Sequence, residues 1–369
     1  MKRLSMLLLI LVIAACNPIE IAMGDRSPTL TKSNQPKNII LMVGDGMGLT
    51  QITAGMYTNG NQLQLERCPI VGLHKSYSSD NLVTDSAAGA TAFACGIKTY
   101  NGAIGVDPDT LSHRTILEEA EEQGMATGLV ATSTIVHATP ASFIAHQKSR
   151  KMYEAIAADF MNTEIDYFVG GGKKYFDRRE TDDRNLYEEL LAKQYVVTDY
   201  FKEDFKNIQL NPQSNFAYFT ADGDPLRVVQ GRDYLQAASI RGANFLDKRS
   251  REGFFLMIEG SQIDWGGHAN KSDYIVSEML DFDKAIGDIL DFAEKDGETL
   301  VIITADHETG GYAIQYGSRM DSLSTAFTSD YHTAVMIPVF AYGPGAEQFS
   351  GIYENTAIYD KMRRALGFE

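Results

Sequence analysis

Cysteine is scarce in this 369-residue chain, with only three: Cys16, Cys68 and Cys95. That number excludes a disulfide-stapled scaffold, and no two of them stand close enough for a two-cysteine metal motif. Positive charge is also short. Lys and Arg number 33 against 49 Asp and Glu, for a formal net charge of −16. Such a total gives no support to a nucleic-acid or anionic-membrane partner. It would also repel an anionic substrate, unless local cations such as metal ions overcome the field. Tryptophan occurs once, as Trp265. The run Leu4 to Ala15 is almost wholly apolar but too short to span a bilayer as a finished helix.

That run is preceded by the basic start Met1-Lys2-Arg3 and reads as a secretory signal. It ends Ile13-Ala14-Ala15-Cys16, which looks like the lipobox of bacterial lipoproteins, where the cysteine is lipid-modified and becomes the mature N-terminus. An ordinary signal peptide with an incidental cysteine is the alternative. The following stretch is rich in Pro, Ser, Thr and Asn without apolar period, as a solvated tether should be. The expected organisation is therefore a signal peptide at 1–15, a tether at 16–36 and a single domain at 37–369. The expected location is exported, either periplasmic or anchored in the outer membrane by the lipid alone. Export permits a disulfide between Cys68 and Cys95, which sequence leaves open.

After the tether, short continuous apolar runs alternate with helical patterns. Ile39–Val43, Thr127–Ala131, Tyr167–Val169, Phe254–Ile258, Leu300–Thr304 and Val339–Tyr342 read as strands covered on both faces. The clearest helix is 272–296, where Ile275, Met279, Phe282, Ile286, Ile289 and Phe292 recur three or four apart. The alternation predicts an α/β fold with a mainly parallel sheet between helices. Residues 173–215 are more polar and read as a peripheral excursion.

The residues just past the strands are the informative ones. Ile39–Val43 runs into Gly44-Asp45-Gly46-Met47-Gly48, Phe254–Ile258 into Glu259 with Asp264 and His268 shortly after, and Leu300–Thr304 into Asp306 and His307. Ligands of open parallel sheets gather beyond these carboxyl ends. The glycine pattern after the first strand also suggests a dinucleotide site, but Asp45 inside a pyrophosphate cradle would repel its ligand. Converging carboxylates need protons or cations, and mixed Asp, Glu and imidazole suits zinc while hard oxygen donors suit magnesium. His332 lies 25 positions beyond His307, and spacing alone leaves it open as a ligand. Val83 to Ala92 reads as the start of a helix with Ser86 in its first turn. There a serine either caps the helix, which is the plainer reading of composition, or acts as a nucleophile activated by a metal.

Together these blocks resemble the alkaline phosphatases. Asn38–Thr50, Thr84–Thr99, His137–Arg150, Phe254–His268, Thr299–Gly311 and Tyr331–Gly345 look like that family's signature blocks, in its order, from about residue 37 to the C-terminus. Glu-Gly-x-x-Ile-Asp-x-x-x-His and Thr-Ala-Asp-His-Glu are the specific ones. The resemblance implies a three-layer αβα sandwich around a mainly parallel central sheet. It also implies hydrolysis of small phosphate monoesters through a phosphoserine, with two Zn²⁺ and one Mg²⁺. Ser86 matches the phosphorylated serine and Arg150 the arginine that grips phosphate. Asp264, His268 and His332 match the ligands of one zinc, and Asp45, Asp306 and His307 those of the other. Asp45 also faces the magnesium, whose remaining protein ligands match Thr139 and Glu259.

Two positions take a less common combination within the family. His137 stands beside the magnesium site where some members have Asp, and Trp265 stands near the phosphate where some have Lys. Both substitutions remove a charge, so weaker Mg²⁺ retention and weaker product inhibition are expected. Only residues 312–331 separate the His307 block from His332, which leaves little room for the family's crown insertion. The family is usually homodimeric, and a homodimer stays open here. The rival readings are a phosphodiesterase or sulfatase of the same superfamily, and a surface lipoprotein that binds phosphate without hydrolysing it. Neither Cys68-Pro69-Ile70 nor Cys95-Gly96-Ile97 supplies the sulfatase context.

Overall fold

The structure is a computed structural model and describes residues 35–368. The signal peptide, Cys16 and nearly all of the tether lie outside the described residues. Ten strands form one sheet, in the order Gly351–Glu354, Ile70–Lys75, Ile337–Tyr342, Thr299–Thr304, Asn38–Gly44, Phe254–Gly260, Ala126–Thr134, Tyr167–Gly171, Phe216–Phe219 and Val196–Asp199. Within it, only Ile337–Tyr342 runs against its neighbours. The sheet is therefore mainly parallel, as the strand and helix alternation predicted.

The central strands are buried along their whole length because both faces are covered. Along Asn38–Gly44 the side chains alternate between two apolar cores: Ile39, Leu41 and Val43 enter one, Ile40 and Met42 the other. Helices Ser86–Cys95 and Ala357–Leu366 close the first core through Phe93, Ile358 and Met362. Helices Leu235–Arg249 and Ser272–Asp296 close the second through Leu246, Ile275, Met279 and Phe282. Each fully buried side chain of this kind contributes roughly 1.5–3 kcal/mol. The long helix stops at Gly297, whose φ of 76° is a left-handed turn that a side chain would resist.

Cys68 lies in one core and Cys95 in the other, on opposite sides of the sheet, so they form no bridge. Both are buried thiols, and burial pushes Cys68 up to about 12, which keeps it unreactive. The polar stretch 173–215 is no simple excursion. Its Val196–Asp199 segment pairs with Phe216–Phe219 and forms the outer edge of the main sheet. An edge strand is only half covered, so Val196 is exposed and Val197 buried, and the continuous apolar run that marks a central strand is missing.

Candidate active site and metal centre

The strands Thr299–Thr304, Asn38–Gly44 and Phe254–Gly260 are neighbours in the middle of the sheet, parallel and in step: Val43 lies opposite both Thr304 and Glu259. Because they end together, Glu259, Asp45, Asp306 and His307 leave the sheet along one rim. The first turn after Asn38–Gly44 has to be tight. Gly46 has a φ of 72°, and a Cβ there would stand 2.7 Å from the Asp264 Cα. The glycines of this turn make room for a carboxylate cluster, which leaves no pyrophosphate cradle.

Asp264 and His268 sit four residues apart on the short helix Gln262–His268, so they share one face. His332 meets them from the two-residue strand His332–Thr333, which pairs with Glu308–Thr309. The Nδ1–H of His268 donates to the Asp330 carbonyl at 2.7 Å, and that of His332 to the Thr84 carbonyl at 2.8 Å. In the neutral rings both Nε2 atoms then carry lone pairs, and they face each other at 3.1 Å. They also lie 3.4 and 3.6 Å from the Asp264 carboxylate. Two lone pairs and an anion converge, and a cation is what this geometry lacks. One ligand atom from each of Asp264, His268 and His332 lies within 4.8 Å of the others.

A second group under the same 4.8 Å limit joins Asp45, Asp264 and His307. Asp306 stands against it by one oxygen: its Oδ2 is 3.3 Å from His307 Nε2 and has no hydrogen-bond partner. Its Oδ1 accepts from the backbone N–H groups of Gly46 and His307. Asp264 thus lies between the two groups, which the expected ligand sets kept apart. A third group joins Asp45, His137 and Glu259, with Thr139 beside Glu259. Both Asp45 oxygens and Glu259 Oε1 are buried without a hydrogen-bond donor.

Electrostatics repeat the point. Burial, then Asp306, Asp264 and Glu259, push the Asp45 carboxyl well above its ordinary range. Burial lifts Glu259 to about 7, against the pull of Ser261 and Thr139. Burial and then Asp264 lift Asp306 to about 7. Burial lowers His307 well below the ordinary imidazole value, and lowers His137 to about 3 with help from Arg150. Neutral imidazoles beside uncompensated carboxylates are metal-ready donors. The mixed N and O sets of the first two groups fit Zn²⁺, and the oxygen-rich third fits Mg²⁺ apart from His137.

Ser86 does not cap its helix. Asp85 does: its Oδ1 accepts from the Ala88 and Gly102 N–H groups, each at 3.0 Å. Ser86 is the first helical residue, with its Oγ 3.3 Å from His307 Nε2. Arg150 belongs to no solvated run either, as its guanidinium turns inward and pairs with Asp85 Oδ2 at 2.9 Å. Burial alone would ease its proton off, but Asp85 and then Asp45 hold it firmly cationic. Arg150 also touches His137 Nε2 at 3.4 Å, and the Trp265 ring meets His137 edge-on with centroids 6.1 Å apart. A cleft of about 560 Å³ opens over Ser86, Arg150, Asp264 and Trp265. Sequence reasoning missed Asp85, whose only signal was its place just before the helix, and Tyr331, which lies flat on His332 at 4.4 Å.

A helix-borne serine, an inward arginine and three candidate metal groups on the carboxyl rim of an α/β sheet define a class of phosphoryl-transfer hydrolase. Comparison with known proteins gives the family. The alkaline phosphatase family model matches residues 36–326. Alkaline phosphatase 3 of Bacillus subtilis is 36% identical, the match covering 91% of each chain. Escherichia coli alkaline phosphatase is 31% identical, with 94% of this chain and 90% of that protein covered. Among solved structures, the alkaline phosphatase of the Antarctic bacterium TAB5 is 44% identical with a TM-score of 0.86, over 91% of this chain and 99% of that one. A histidine-to-aspartate variant of that enzyme, with a TM-score of 0.85, has Mg bound in its M3 site. The chain belongs to the alkaline phosphatase family and is a phosphoric monoester hydrolase.

Proposed function

We propose that this chain hydrolyses phosphate monoesters through a phosphoserine on Ser86, with two zinc ions and one magnesium ion at the rim. The observation that carries the reading is the convergence of the His268 and His332 lone pairs on Asp264, a short step from Ser86. When bound, the metals would neutralise the carboxylates and supply Lewis acidity for the Ser86 hydroxyl and the leaving alcohol. Asp264, His268 and His332 would hold one zinc, Asp45, Asp306 and His307 the other, and Asp45, Glu259 and Thr139 the magnesium.

The protein's own groups do the rest. Arg150, held by Asp85, presents its planar fork to two phosphate oxygens and orients the ester in the cleft. Ser86 stands in the first turn of a helix, where free backbone N–H groups favour a developing oxyanion. Its Oγ forms the new P–O bond as the bond to the leaving alcohol breaks, and water then cleaves the phosphoserine to release phosphate. His137, next to Arg150, leaves the magnesium shell one charge short, and we read it as the counterpart of the histidine replaced in the Mg-bound variant of the Antarctic enzyme.

We also read the chain as an exported lipoprotein anchored at Cys16. The described chain enters beside Glu298, at the amino ends of the central strands and opposite the catalytic rim. The 312–331 segment holds the short ladder Ala313–Ile314 with Thr325–Ala326 and a bridge between Arg319 and Ser322, so a dimer would not form through a crown there.

The test is acid quenching during turnover of a phosphate-labelled ester. One label per chain on Ser86 is expected, and Ser86→Ala should still bind phosphate yet lose turnover. Turnover in Ser86→Ala within about tenfold of the parent would overturn the reading.

A further inference from the structure

One buried carboxylate in the site region takes no part in the chemistry above. Glu308 follows His307 directly and is 5% exposed. Burying a carboxylate without a cation is costly, and structures keep such a group only where hydrogen bonds compensate it. No ion pair is found for Glu308 among the described residues, and its four partners are all neutral donors. Oε1 accepts from Gln51 Nε2 at 2.7 Å and from the Tyr312 N–H at 3.0 Å. Oε2 accepts from the Gly311 N–H at 3.2 Å and from the Thr333 hydroxyl.

Those partners reach the segments that carry both candidate zinc groups. Thr333 follows His332, and Gln51 lies on the helix Leu49–Thr58 that begins just past the Asp45 turn. Glu308 itself extends the His307 segment, and Thr333 and Glu308 lie opposite each other in the small antiparallel ladder. The space it occupies is reserved, since a Cβ on Gly48 would come within 2.4 Å of Glu308 Cγ. His307 and His332 meet face to face at 3.5 Å, so a slight shift of either ladder strand would displace one metal group against the other.

We infer that Glu308 is a positioning residue that locks the Asp264–His268–His332 group to the Asp45–His307 group through its two oxygens. The inference rests on the zinc reading of those groups. Loss of the Thr333 link should loosen the His332 side, and loss of the Gln51 link the Asp45 side. Partners of this kind typically cost about 10–100-fold in metal affinity when removed.

The experiment is chelator-competition titration of zinc into the full chain, in the parent, Glu308→Gln, Thr333→Val and Thr333→Ser. Both Glu308 oxygens face donors only, so an amide nitrogen at either one would meet a donor and break the lock. Glu308→Gln is expected to weaken zinc binding by about 10–100-fold. Thr333→Val, which keeps the charge, should weaken one of the two zincs and spare the other, and Thr333→Ser should bind like the parent. Affinities unchanged within about threefold in both Glu308→Gln and Thr333→Val would overturn the inference. So would weakening in Glu308→Gln alone, which would mean that Glu308 acts by charge and not by position. If Glu308→Gln fails to fold, the Thr333 pair decides by itself. A parent that binds no zinc would instead refute the metal reading on which the inference stands.

Discussion

Two parts of the rim differ in how their imidazoles are held. In the part around Asp264, His268 and His332 each give Nδ1–H to a backbone carbonyl, so their Nε2 atoms are aimed before any metal arrives. In the part around Asp45 and Glu259, His137 has no partner on Nδ1, and its Nε2 touches the Arg150 guanidinium. The first arrangement is preorganised for a cation, while the second puts a neutral ring where a charge would serve better. The Asp264–His268–His332 group is therefore the rigid half of the centre, and the third group is the adjustable half.

The largest effect should come from breaking the rigid half. Asp264 lies within 4.8 Å of the ligand atoms of both candidate zinc groups, so Asp264→Asn should lower kcat/KM by on the order of 10³-fold or more. Activity and zinc content measured together check this. Full zinc retention with near-parental turnover would sink the assignment of Asp264 to the centre.

Next in size is the pH dependence of the metal-free fold. Glu259 and Asp306 titrate at about 7 when folded, raised mainly by burial, whereas unfolded carboxyls titrate at about 4. Between these values the folded chain holds protons that the unfolded chain has lost, so stability is present at low pH and is lost as pH rises through about 7. Metal ions bound there would replace those protons, so the loaded protein would escape the loss. The Tm of chelated protein should therefore fall by roughly 5 °C or more between about pH 5 and about pH 8, relative to the loaded protein. Parallel Tm profiles would show that these carboxylates face no cation.

Legibility in the sequence divides along a related line, between parts set by burial and parts set by tertiary contact. Central strands such as Phe254–Gly260 were legible because burial on both faces demands continuous apolar runs, and the acids at their ends stood out against them. The edge strands Val196–Asp199 and Gly351–Glu354 were not, since half-covered strands carry no such run. The roles proposed for Ser86 and Arg150 come only through the family resemblance. Composition favoured a helix cap and a solvated basic stretch, and it takes tertiary contact with Asp85 and His307 to show otherwise. Glu308 looked like part of a motif and nothing more, because its role lies in four donors from residues 51, 311, 312 and 333.

The adjustable half can be sharpened with His137→Asp. A carboxylate there would add charge to a group that already holds Asp45 and Glu259, so Mg²⁺ should bind about tenfold more tightly. The same carboxylate would compete with the substrate for Arg150, now 3.4 Å from His137 Nε2, so KM should rise. The parent should gain activity when Mg²⁺ is added, and the variant should gain less. Calorimetric Mg²⁺ titration and activity after desalting measure both expectations. Equal Mg²⁺ affinity in the two proteins would remove His137 from the third site.

The smallest effect should lie at Trp265, which meets His137 at the cleft and carries no charge toward the product. A lysine in its place would set an ammonium near the phosphate dianion. At a separation of several ångströms in a partly solvated cleft, that attraction amounts to about 1 kcal/mol. Trp265→Lys should therefore lower the inhibition constant for inorganic phosphate by roughly fivefold and slow product release, while the chemical step changes little. Competitive inhibition measured at constant ionic strength separates this from general screening. Equal inhibition constants in parent and variant would show that the indole is no neutral stand-in for a phosphate-facing cation, and that Arg150 alone sets the grip on product.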